Sequence, residues 1–151
     1  MTRITLVIDP AESAHCAAAV TKLACLPHGR VVCHPTPGGA PTWLGCDLLL
    51  ALGKRFDAVQ AEHVRAQAWD LAAVWARAEA VEHLFVLRAH ALTVGALERL
   101  RALQQKTGVR LWLISPRAQP TAAQRQVLGE REDLETLSAD ECMPRWRHTA
   151  Q

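Results

Sequence analysis

A chain of 151 residues fits one domain and is long enough to bury a full hydrophobic core without disulfide or metal staples. Half of its residues are apolar and 21% are charged, which excludes a disordered chain, and no apolar run approaches the eighteen or so residues of a bilayer span. A formal charge of +2, from 17 basic and 15 acidic residues, is too small to imply nucleic-acid binding through bulk charge.

The N-terminus runs straight into a strand with one Arg and no small-residue cleavage pattern, so no signal peptide is expected. Five cysteines, at 16, 25, 33, 46 and 142, form no C-x-x-C pair and are odd in number. That suits a reducing compartment and a cytoplasmic protein, with most of the cysteines serving as small buried hydrophobes.

Ile4-Thr5-Leu6-Val7-Ile8 is an apolar, β-branched run that breaks at Asp9-Pro10. An alanine-rich helical pattern follows from near Ser13 to about Leu26, giving strand, tight loop and helix. Arg30-Val31-Val32-Cys33-His34-Pro35 is a second strand stopped by proline. After a Pro- and Gly-bearing loop, Thr42 is expected to cap a helix from Trp43 to Leu52, with Leu44, Leu48 and Leu52 on one stripe and Gly53 just past its end. A longer helix is expected over residues 61–80, with Val64, Ala68, Leu71, Val74, Trp75 and Ala78 on its packed face. Val81 to Leu87 ends in an unbroken apolar run, the mark of a strand buried on both faces. A helix from Thr93 to Thr107 closes at Gly108, and Val109-Arg110-Leu111-Trp112-Leu113-Ile114 is the fourth strand. Thr121 caps a helix to about Leu128, and Leu134 to Leu137 is a fifth strand. The expected domain covers residues 1–138; residues 139–151 show no period and are expected to be a disordered or partner-binding tail.

Strands alternating with helices predict an α/β fold, a three-layer sandwich around a mainly parallel five-stranded sheet. In such sheets ligands bind at the carboxyl ends of the strands, which here are Asp9 to Cys16, His34, Arg88 to His90, and Ser115.

The first loop has the frame of a phosphate-binding loop, G-x-x-x-x-G-K-[ST], whose glycines bring backbone N–H groups onto phosphate while the lysine and hydroxyl reach the outer phosphates and magnesium. On that frame Asp9 and Ala14 replace the two glycines, His15 the lysine and Cys16 the hydroxyl. Three further strings follow in order. They are Leu50-Ala51-Leu52-Gly53, Leu84-Phe85-Val86-Leu87-Arg88-Ala89-His90, and Leu97-Glu98-Arg99-Leu100-Arg101-Ala102-Leu103 running on to Thr107-Gly108-Val109. In order and spacing, residues 3–137 resemble the AAA+ ATPases associated with DNA transposition, the TniB and TnsC type.

The resemblance implies a P-loop NTPase-like core without the helical lid domain, in which the first and third strands flank the fourth. It also shows what is missing. Where the family ends its third strand in an acidic pair that organises magnesium and activates water, this chain has Arg88 and Ala89. Only Ser115, at the family's polar sensor position, keeps a compatible side chain. The implied function is that of a catalytically inactive pseudo-ATPase, an interaction module in a DNA-associated or transposition-type assembly. No cofactor and no metal are expected, and the partners would be proteins or further copies of itself. Nucleic acid enters through the resemblance alone, and no membrane is involved.

The losses are mutually consistent, because Asp9 and Glu12 can supply the negative charge that the helix N-terminus wants, with Arg88 close to one of them. Two alternatives stay open. One is a nucleotide- or small-anion-binding protein without hydrolysis, its site lined by His15, Arg88, His90 and Ser115. The other is a thiol enzyme using Cys16 with His15. His15-Cys16, Cys33-His34 and His90 carry zinc-type ligands without the short paired spacing of a zinc motif. Arg145, Trp146 and Arg147 combine cations with an aromatic, as nucleic-acid or partner contacts do.

Overall fold

The computed structural model describes residues 3–11, 14–38, 40–129 and 134–149. The strands are β1 (Ile4–Ile8), β2 (Arg30–Cys33), β3 (His83–Val86), β4 (Arg110–Ser115) and β5 (Leu134–Ser138). They pair in the order β2-β3-β4-β1-β5, every pair parallel. The fourth strand therefore lies between the first and the third, with Leu113 level with Leu6 on one side and Val86 on the other. The helices are α1 (Ala14–Leu23), α2 (Pro41–Ala51), α3 (Ala58–Ala78), α4 (Val94–Thr107), α5 (Ala122–Leu128) and α6 (Ala139–Thr149).

Side chains alternate across a strand, so each interior strand feeds two cores. Ile4, Leu6, Val31, Leu84, Val86, Leu111 and Leu113 meet buried residues of α2, α3, α4 and α5 on one face. Val7, Val32, Phe85, Trp112 and Ile114 meet Cys16, Val20 and Leu23 of α1 and Cys142 and Trp146 of α6 on the other. Four helices cover one side of the sheet and two the other, which makes the three-layer sandwich.

Several helix ends follow the sequence. Thr93 accepts from the Ala96 N–H (3.2 Å), Thr121 and Gln124 form a capping box, and Gly53 and Gly108 take the left-handed conformation that glycine reaches without a Cβ clash. Others differ. Helix α1 ends at Leu23, because residues 25–30 turn back through the Cys25–Arg30 bridge and a short 3₁₀ segment. Helix α2 starts at Pro41 with Ala40 as its cap, and Thr42 lies inside it; proline at the first turn needs no N–H partner. Helix α3 starts at Ala58, fixed by a capping box between Asp57 and Gln60.

The packed face of α3 is the expected one only in part: Val64, Ala68 and Leu71 pack on the core, but the face turns away from Val74, Trp75 and Ala78. Ala68, Ala72, Ala73 and Ala76 are buried, whereas Val74 and Trp75 are exposed. The reason is a close helix pair: a Cβ on Gly45 of α2 would lie 2.9 Å from the Ala68 Cβ, so small residues on both helices set the approach. Trp69 closes one end by donating its ring N–H to the Pro41 carbonyl (3.0 Å).

The largest correction concerns the expected tail. Residues from Ala139 form helix α6, which packs on the sheet as part of the domain. Ser138 and Glu141 cap it reciprocally: the Ser138 N–H and hydroxyl donate to the Glu141 carboxylate (2.7 and 2.9 Å), and the Glu141 N–H donates to the Ser138 hydroxyl (3.3 Å). Ala139, Cys142 and Trp146 then recur at helical spacing and are buried. Trp146 meets the stacked Phe85 and Trp112 edge-on, at 6.1 Å from each ring. At the far end Arg30, buried on edge strand β2, donates to the Leu23 carbonyl (2.9 Å) and the Thr149 carbonyl, so one cation ties down the last turns of α1 and α6.

Truncating this anchor removes a large buried aromatic, and Trp146→Ala is expected to lower unfolding stability by about 3–5 kcal/mol in urea titrations. An unchanged midpoint would mean that α6 is dispensable.

A second expectation concerns acid. The Trp112 ring N–H donates to Nδ1 of His83 (3.2 Å), which requires that nitrogen unprotonated. Burial, and then the nearby positive charge of Arg110 and Arg30 against the opposing charge of Glu82, hold His83 below its ordinary 6.5. The unfolded chain therefore takes up this proton first as pH falls. The contribution is fully present above about pH 6.5 and is lost as the pH drops through the folded value. Unfolding titrations at pH 7.5 and 5.5 should show less loss of stability in His83→Gln than in the unmodified chain, and an equal loss would contradict the assignment.

Candidate functional site

Chain direction locates the site. From β1 the chain passes into α1 on one face of the sheet, whereas from its neighbour β4 it passes into α5 on the other. Adjacent parallel strands whose connections diverge in this way leave a crevice beyond their carboxyl ends. A cleft of about 530 Å³ lies there, lined by Asp9 from the end of β1, Ile114 and Pro116 from β4, Leu87, Arg88 and His90 after β3, His34 after β2, and Ala17 and Thr21 of α1. Leu87, Ile114 and Pro116 make its apolar part. Small residues on the adjoining face of α1 leave that part reachable.

Its polar groups are unevenly placed. Asp9 is buried, and its N–H extends the sheet by donating to the Ser115 carbonyl (2.8 Å). Arg88 is exposed and takes the left-handed conformation (φ 54°, ψ 39°), rare for a side-chain-bearing residue and costing about 1 kcal/mol or more. That turn ends β3 abruptly and puts Arg88 and His90 on the wall between the cleft and a second cavity of about 240 Å³, lined also by Thr36, Asp47, Leu44 and Thr93. Asp47 holds the loop at this second cavity by accepting from the N–H (2.7 Å) and hydroxyl (2.9 Å) of Thr36.

The structure thus brings Asp9, His34, Arg88 and His90, all expected at strand ends, into one cleft. The described ion pairs, Lys54–Glu79, Lys106–Asp70 and Arg145–Glu135, include no direct bridge between Asp9 and Arg88. Glu12, the other partner expected for Arg88, lies outside the described residues. Ala14 opens α1, and Ala89 is buried behind Arg88. Ser115 is fully buried below the cleft, its hydroxyl accepting from the Arg117 N–H (3.4 Å).

His15 and Cys16 line a separate pocket of about 170 Å³ with Asp9, Ser138, Asp140 and Met143, between the starts of α1 and α6. Burial first, then the charge of Asp9 and the hydrogen bond that the thiol gives it, then Asp140, push the Cys16 thiol up to about 11. It is a thiol at neutral pH, the reverse of an activated nucleophile. Among the described residues no group of three His, Cys, Asp or Glu side chains is arranged to hold a metal ion.

The residues offered as partner contacts separate. Trp146 is in the core and cannot reach a partner, which corrects the expectation for it. Arg145 and Arg147 are exposed, and Arg145 pairs with Glu135 at 3.2 Å. The sequence missed an exposed apolar set on α2 and α3, made of Trp43, Leu50, Val74 and Trp75. Arg65 lies over the Trp43 ring and Lys54 over the Trp75 ring, at 4.5 and 3.7 Å from the centroids.

Compared with known proteins, the chain matches no family model, and no curated protein matches it. Among the described residues no helix is long and apolar enough to cross a membrane.

Proposed function

We propose that the chain is an ATPase-like module that does not hydrolyse nucleotide and acts by binding other proteins. The observation that carries the reading is the placement of β4 between β1 and β3, the arrangement that the resemblance to transposition ATPases requires, with Arg88 and Ala89 where hydrolysis needs an acidic pair. A guanidinium and a methyl group can neither hold magnesium nor take a proton from water. At the other end of the cleft the loop has Asp9 in place of its first glycine, and a buried carboxylate there opposes a polyphosphate.

The exposed Trp43, Leu50, Val74 and Trp75, on two helices that pack together, support the interaction role as large apolar side chains left open to a partner. The partner is a protein or a second copy of the chain. A place in a DNA-associated assembly rests on the resemblance alone. Five free cysteines fit a cytoplasmic setting. The cleft itself favours a second reading, binding of a small anion without hydrolysis, because Arg88 and two histidines line it. The buried Cys16 thiol gives the enzyme reading no support.

Incubated with ATP and magnesium, the purified chain should release no phosphate above the buffer blank. In sedimentation velocity it should self-associate, or sediment with a partner retained from its host, and Trp43→Ser with Trp75→Ser should weaken that association. Magnesium-dependent phosphate release would overturn the non-hydrolytic reading. A strictly monomeric, partner-free chain would overturn the interaction role.

A further inference from the structure

The 530 Å³ cleft is within the range that holds small molecules, and its chemistry is polarised from end to end. On the side of β2 and β3 stand Arg88, His34 and His90. Arg88 makes no ion pair or side-chain hydrogen bond among the described residues, and its exposed side chain lines the cleft as well as the second cavity. On the β1 side stands Asp9, already accepting a hydrogen bond from the Cys16 thiol. Between them the floor is Leu87 and Ile114, with Pro116 and Ala17 at its margins.

We propose that this cleft binds a small organic anion: a carboxylate or phosphate head on a compact apolar body, the head held by Arg88 and the body lying over Leu87 and Ile114. The inference deepens the second reading given above and rests on the cleft being non-hydrolytic.

Three features fix the orientation. An anionic head is repelled by the Asp9 carboxylate and attracted by a planar guanidinium that can present two parallel N–H donors to two oxygens. The head therefore sits at the end of β3, the opposite end of the cleft from the loop after β1. An apolar floor that hydrogen-bonds nothing favours carbon over a sugar or a chain of phosphates. Arg88 is held in the left-handed conformation, an arrangement whose backbone cost is matched by no described side-chain interaction in the free chain. A ligand at the guanidinium supplies what the free chain lacks.

Four probes and two variants test this. Phenyl phosphate and phenylacetate share an apolar body and differ in the head, benzyl alcohol has the body without the charge, and inorganic phosphate has a head without the body. Titration calorimetry of the full chain should show saturable binding of at least one phenyl anion, with benzyl alcohol and inorganic phosphate each about tenfold weaker or more. The better of the two phenyl anions identifies the head group. Arg88→Gly relaxes the left-handed turn, so the fold is retained or stabilised, yet it should weaken the anion by about tenfold or more. Arg88→Lys, which keeps the charge without the fork, should fall between. Binding of neither phenyl anion, benzyl alcohol binding as well as the anions, or an Arg88→Gly chain that binds unchanged would each overturn the proposal. Phosphate release from ATP, measured on the same preparation, bears on the non-hydrolytic reading alone and separates its failure from that of the anion site.

Discussion

The pairing of β1 with β4 is the constraint from which the rest of the molecule follows. Ile4 to Ile8 run level with Leu111 to Ser115, and the Asp9 N–H continues the ladder one residue further onto the Ser115 carbonyl. These two strands are adjacent in space and separated by two other strands in sequence. The chain must therefore leave β1 over one face and return to β4 over the other. Right-handed crossovers then place α1 on one side and α2 through α5 on the opposite side, and the strand ends between them cannot be closed by a continuous helical layer. The cleft is a consequence of topology before any side chain is chosen.

The two faces solve their packing differently. On the four-helix side, alanines of α3 and Gly45 of α2 bring helices close and fill space with backbone. On the two-helix side, fewer elements must cover the same strands, and large aromatic side chains make up the difference: Trp146 reaches from α6 onto Phe85 and Trp112. That aromatic cover lies over the middle of the sheet. Nearer the carboxyl ends α1 presents Ala17 and Thr21, and the apolar floor stays open to the cleft. Arg88, turned by a left-handed residue at the end of β3, supplies the charge at its mouth.

Much of this was legible in the sequence because strand interiors and helix caps are local statements. The unbroken Leu84 to Leu87 run announced a strand buried on both faces, and Thr93, Thr121, Gly53 and Gly108 announced helix ends. The packed face of α3 was legible in part, through Val64, Ala68 and Leu71, but apolar periodicity also counts Val74 and Trp75 as core and cannot see that a neighbouring helix with Gly45 selects alanines instead. The last helix was hidden by Pro144, which removes one backbone donor and interrupts the pattern, although the Ser138-Ala-Asp-Glu141 capping box and the spacing of Ala139, Cys142 and Trp146 were present. At the site, the rule of strand ends located Asp9, His34, Arg88 and His90. It could not distinguish Ser115, which points into the protein, from residues that reach solvent.

The proposed function depends on β4 lying between β1 and β3, with Arg88 and Asp9 at the strand ends that line the cleft. The most direct test is the pairing of β4 itself, read from cross-strand nuclear Overhauser contacts in isotope-labelled protein. The account predicts contacts linking Leu113 to both Leu6 and Val86, in parallel register. Direct pairing of β1 with β3, or an antiparallel register at β4, would contradict it.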